Sequence, residues 1–170
     1  RAKLLHARRM MLALAAVGLA GFTSVSDLVV HMLYDERYAL AGIMLPLMLL
    51  GVWISILGTV NDSILLGRGK PAYSAFANAA KLIAIVIGVP VAFHYYGLIA
   101  ALIVLNAGEV VRYMVLWVFS RGKHLAFARD DLALTLLFLL ATVGCRELLS
   151  SLGITSDLLS LFPVLDTGFV

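Results

Sequence analysis

Five stretches of this chain each run for about 20 residues with almost no charge, the length a helix needs to cross the roughly 30 Å hydrocarbon core of a bilayer. They fall at residues 10–32, 39–60, 74–93, 98–119 and 132–152, the second staying apolar as far as Leu66. Composition argues against the same rods packed as a water-soluble bundle. Hydrophobic residues make up 62% of the 170 and charged residues 14%, against about 45–50% and about 25% in soluble domains. So few charges cannot cover the surface of a chain this size in water, whereas a lipid-facing surface needs none. Barrel strands would alternate polar and apolar residues, and these runs do not. The expected fold is all-α: a polytopic membrane helical bundle with about five transmembrane helices. A sixth apolar piece, 158–164, is too short to span and reads as the start of a further helix. The chain, which begins with Arg1 and shows no signal-peptide layout, reads as a fragment of a longer protein with residues expected upstream.

Charge alternates from loop to loop. Arg1, Lys3, Arg8 and Arg9 precede the first run, Arg68 and Lys70 lie between the second and third, and Arg121, Lys123 and Arg129 lie between the fourth and fifth. The other loops, "YDERY", "HYYG" and "LGITSD", hold Arg37 alone. This bias predicts a cytoplasmic N-terminal end under the positive-inside rule, with Tyr34, Tyr38, Tyr95 and Tyr96 at the outer interface. Basic residues in separate short clusters do not make a nucleic-acid surface, so no nucleic-acid partner is expected.

Small residues forecast how the helices touch. Ala80, Ala84, Gly88 and Ala92 recur every four residues, and Ala13, Ala16, Ala20 and Gly21 form a similar band. Such stripes let backbones approach closely in lipid. Pro46 and Pro90 fall inside the second and third runs and predict kinks or breaks.

Three ionisable residues lie deep in the spans: Lys81, Glu109 and Arg112. Each costs at least about 2.5–3.5 kcal/mol at a helix centre unless it meets a partner or water. The turn between the third and fourth runs centres near Tyr95 and Tyr96. Lys81 and Glu109 are equidistant from it, so an antiparallel hairpin brings them to one level, ~20 Å from the turn. Arg112 follows Glu109 by three residues on the same helix face. Asn78 and Asn106 precede Lys81 and Glu109 by three, so all five can converge on a polar seam. Two cations against one anion leave a surplus positive charge, and a polar seam between helices is the default place for a substrate path. A plain Lys81–Glu109 ion pair that only fastens the hairpin is the competing reading.

Other polar spots carry less. "VNDS", residues 60–63, reads as the end of a span meeting headgroups, and Arg146 and Glu147 read as snorkelling outward. "GRGKP", residues 67–71, lacks the leading glycine and the trailing Ser or Thr of a phosphate-binding loop and reads as a tight turn with Pro71 opening the next helix. The single cysteine, Cys145, rules out an internal disulfide within this sequence. His6, His31, His94 and His124 are scattered without ligand spacing, so neither a metal site, a cofactor nor a catalytic set is expected.

The order "LYDERY", apolar helix, "LLGRGKPAY", "ANAA", "YYGLIAALIVLNAGEVVRYMVLW" resembles the C-terminal portion of bacterial polysaccharide and O-antigen flippases, members of the multidrug/oligosaccharidyl-lipid/polysaccharide flippase superfamily. The corresponding stretches are 33–38, 65–70 and 97–101, with Asp35 standing where the family usually has glycine. The resemblance covers 33–124. It implies that the chain supplies much of the second of two helical lobes and partners an N-terminal lobe of the same protein. It also implies alternating-access transfer of an undecaprenyl-pyrophosphate-linked oligosaccharide across the bacterial inner membrane, without an enzymatic step and among membrane lipids. Cavity cations would meet the pyrophosphate or acidic sugars. The alternatives are a drug or small-cation exporter of the same superfamily, which would favour anionic cavity residues; a polysaccharide polymerase or glycosyltransferase, which would need a larger outer or acid-rich loop; and a structural membrane subunit.

Overall fold

The computed structural model describes residues 2–33, 39–121 and 128–152. Five helices make up these residues: α1 (Ala2–Ser24), α2 (Ser26–Leu33), α3 (Ala39–Leu66), α4 (Pro71–Arg121) and α5 (Ala128–Ser151). The fold is the all-α bundle expected. Three of the helices are long and apolar enough to cross a membrane, over Met44–Leu66, Pro71–Ser120 and Arg129–Ser151. The third and fourth expected spans are both inside α4. Gly97 breaks it with φ 79° and ψ −166°, a backbone region essentially reserved for glycine. There the chain turns back on itself. Tyr73 stacks on Phe119 at 4.6 Å between ring centres, and Lys81 meets Glu109. The two arms, 71–96 and 98–121, are therefore an antiparallel hairpin, with its tip at the exposed Tyr95 and Tyr96. Tyr34, Tyr38, Arg37, Lys123 and the short apolar piece 158–164 lie outside the described residues.

The first expected span is not one helix. It divides at Val25, between α1 and α2. Hydropathy is continuous there, but "FTSVS" carries three hydroxyls that bond back to the chain: Thr23 to the Leu19 carbonyl, Ser24 to Ala20 and Ser26 to Thr23, at 2.7–2.8 Å. Such side chains offer the carbonyls partners that compete with the helical ladder. Pro46 and Pro90, by contrast, end no helix; each lies inside a continuous one. A proline removes a single donor, a loss that membrane helices tolerate.

The turn from α3 to α4 is the tight one anticipated at "GRGKP". Gly69 takes φ 69°, and the Gly69 and Lys70 amides donate to the Leu66 and Leu65 carbonyls at 2.9 and 3.3 Å. This is a Schellman cap with glycine at its left-handed position, and Pro71 then opens α4.

The helices thus run up and down, and α1 lies parallel to α5. Arg8 meets Asp131 at one end of that pair, and Ser24 meets Thr142 at the other. The core joins α1, α3 and α5 through Leu12, Ala16, Ala20, Trp53, Leu57 and Phe138, with Trp53 stacked on Phe138 at 5.2 Å. Ala16 and Ala20 of the first small-residue band are fully buried in it. The second band faces its own hairpin: a Cβ on Gly88 would stand 2.7 Å from Val104. Leucine, isoleucine and valine cover the outer faces of α4 and α5, the surface expected against lipid.

Candidate functional site: a polar ladder and an adjoining groove

Two polar networks run through the end of the bundle that carries Arg8, Arg68 and Lys70. The first follows α3 and both arms of α4. Lys81 Nζ donates to Glu109 Oε1, and Arg112 Nη1 stands 3.9 Å from Glu109 Oε2. Arg112 Nη2 donates to Asp62 Oδ2 at 3.2 Å, and the Ser74 hydroxyl donates to the same oxygen at 2.9 Å. These five side chains form one ladder with two cations and two anions.

Asp62 changes the expected electrostatics. Sequence alone left Lys81 and Arg112 facing one acid and placed "VNDS" among headgroups. Asp62 is instead buried between helices and balances the second cation, so no surplus positive charge remains in the ladder. The signal for this was present. Asp62 and Ser74 are equidistant from the turn at Arg68, as Lys81 and Glu109 are from the hairpin tip. Glycines make room for the ladder: Gly58 of α3 lies beneath the Arg112 guanidinium, which a Cβ there would approach to 3.9 Å.

The two asparagines depart from expectation. Asn106 turns to α3, where Nδ2 donates to the Leu47 carbonyl at 2.7 Å, and a methyl on Gly51 would overlap its amide. Asn78 is exposed on the outer face of α4. Three residues of helix rotate a side chain about 60° away from its neighbour. That offset carries Asn78 off the seam while Lys81 stays on it.

The second network centres on Asp131 of α5. Oδ1 accepts from Arg8 of α1. Oδ2 accepts from Asn61 of α3 at 3.0 Å and from the Tyr113 hydroxyl of α4 at 2.8 Å. Arg8 also donates to Asn61 at 2.9 Å. One carboxylate thereby ties four helices together, and both ions of the Arg8–Asp131 pair are almost fully buried. Beside it, Arg9 and Asp130 form a two-pronged pair at 2.9–3.1 Å in a much wetter position. At the opposite end, Arg146 is completely buried rather than snorkelling. Its Nη1 donates to the Ser24 carbonyl at 2.9 Å, at the α1–α2 break. Glu147 is exposed.

Between α5 and the second arm of α4, floored by α3, lies a groove of about 390 Å³. Ile54, Leu57, Val110, Met114 and Leu132 give it apolar walls, Trp117 an aromatic one, and Tyr113, Asp131 and Thr135 its polar edge. No group of His, Cys, Asp or Glu capable of holding a metal occurs among the described residues. Comparison of the chain with protein-family models, with curated proteins and with solved structures finds no match.

Proposed function

We propose that this chain is part of a membrane carrier that moves a lipid-linked oligosaccharide or polysaccharide precursor across the bacterial inner membrane by alternating access. In this reading its cationic end is cytoplasmic and its substrate is undecaprenyl-pyrophosphate-linked. A second helical lobe of the same protein closes the path, and no bond is made or broken. The observation that carries the reading is the ladder. Four charged side chains sit between helices whose outer faces are hydrocarbon, and those deep in the spans, such as Lys81 and Glu109, cost about 2.5–3.5 kcal/mol each before pairing. Fastening a hairpin needs no such expense, since Gly88 and Gly108 already seat Val104 and Ile85. Ion pairs that exchange partners between two conformations would suit a carrier. Lys81 and Arg112 would each turn from a carboxylate to the pyrophosphate or an acidic sugar as the substrate passes.

Asp62 favours a second reading, an exporter of cationic small molecules, because it doubles the number of carboxylates in the seam. One pair of variants in the full-length protein separates the two. Lys81→Ala with Arg112→Ala is expected to abolish glycan export at unchanged protein level. Asp62→Asn with Glu109→Gln is expected to leave partial export. Surface polysaccharide unaffected by the first pair removes Lys81 and Arg112 from the substrate path. Loss of cation efflux with the second pair alone selects the cation exporter.

A further inference from the structure

The groove between α5 and the second arm of α4 has a use that the ladder does not. The side chains of Tyr113, Asp131 and Thr135 at its edge are already engaged. Tyr113 donates to Asp131, and Asp131 also accepts from Arg8 and Asn61. The Thr135 hydroxyl donates to the Asp131 carbonyl and accepts from Trp53 Nε1. An occupant is therefore offered chiefly apolar contact along the groove, which favours a hydrocarbon chain over a polar solute. Val110 to Trp117 is two helical turns, about 10 Å, so the groove holds a segment of such a chain. Leu132 lines it toward the cationic end of α5, and Arg129, three residues earlier on the same helix face, is exposed.

We propose that the groove is a seat for one acyl chain of an anionic phospholipid from the leaflet at the cationic end, with the headgroup met by Arg129. The site is separate from the substrate ladder: the ladder residues Lys81, Glu109, Arg112, Asp62 and Ser74 do not line it. The lipid fills the gap between α5 and the second arm of α4, across which Tyr113 donates to Asp131.

The test uses the full-length protein, reconstituted in phosphatidylcholine vesicles containing a minor share of phosphatidylglycerol. It is then extracted in mild detergent, and the lipid retained on the folded protein is read by native mass spectrometry. Phosphatidylglycerol is expected at about fivefold over its share of the vesicle, the effect of one juxtamembrane cation at about 1 kcal/mol. Val110→Phe with Leu132→Phe fills the groove and should abolish the retained lipid. Leu139→Phe, on the outer face of α5, should not. Arg129→Glu leaves the walls intact and should abolish the headgroup preference, so it decides the matter should the filled variant fail to fold. Retained lipid that follows the vesicle composition overturns the proposal, as does retention unchanged in the filled variant. With a polyprenyl phosphate added to the vesicles, its retention in place of phosphatidylglycerol overturns the phospholipid assignment. None of these readouts depends on glycan export.

Discussion

Asp131 and Asp130 are neighbours that pair with neighbours, Arg8 and Arg9, yet burial gives them different weight. Asp131 is enclosed and accepts from three helices besides its own. Removing its carboxylate leaves a buried guanidinium without its counter-charge, together with an amide and a phenol deprived of an acceptor. Breaking one side of a buried pair costs about 3–5 kcal/mol. Asp131→Ala is therefore expected to destabilise the protein by that amount, read as a large fall in the thermal midpoint in detergent. Asp130→Ala should cost less than about 1 kcal/mol, because Arg9 is more than half exposed and exposed pairs contribute little. Replacing Arg8 and Asp131 together with Met and Leu should recover most of the loss, since the cost lies in the unpaired charge rather than in the absent attraction. Equal effects at 130 and 131 would mean that water reaches both pairs alike.

At the scale of elements, sequence revealed what depends on a short turn and concealed what depends on distant packing. The Lys81–Glu109 pair was legible because both arms leave one turn, and equal distance from it fixes equal depth. Asp62 and Ser74 obey the same geometry about Arg68. The polar run "VNDS" nevertheless looked like a span end, because its place beside Arg112 depends on how α3 packs along the second arm of α4. The Asp131 hub was less visible still: Arg8 and Asn61 lie 123 and 70 residues away from it, and no local spacing encodes those contacts. The reversal near Tyr95 and Tyr96 was legible too, and Gly97 makes it; the division of the first span was not, because prolines drew attention and the chain divides instead at a cluster of hydroxyls. Gly97→Ala should thus cost about 1–3 kcal/mol, the strain of a side chain in that backbone region. Pro90→Ala, on an exposed face of a continuous helix, should be close to neutral or slightly stabilising. Thermal midpoints of the two variants compare them directly, and a larger loss at Pro90 would relocate the structural hinge.

For the whole molecule, the two ends of the bundle differ in kind. One collects Arg8, Arg9, Arg68, Lys70 and Arg129 around the α3–α4 turn and the start of α5, and the other ends at Tyr95, Tyr96 and Gly97. Dragging either end through hydrocarbon would strand its polar groups, so each should stay on one side of a membrane throughout the protein's life. The cationic end should be cytoplasmic, since Lys and Arg in short loops set orientation. With Cys145 and every other native cysteine of the full-length protein replaced by Ser, single cysteines at Gly69 and at Tyr95 should respond oppositely to a membrane-impermeant maleimide. In intact cells only the position-95 cysteine should be labelled, and the position-69 cysteine only after the membrane is opened. Labelling of both in intact cells would mean that α4 does not cross the bilayer as a hairpin of two spans. The reverse pattern would keep the hairpin and invert it, which would move the lipid seat to the outer leaflet and leave the ladder's internal geometry as it is. The outcome thus bears separately on fold and on orientation, because the Lys81–Glu109 pairing depends on the turn at Gly97 and not on which side of the membrane that turn faces.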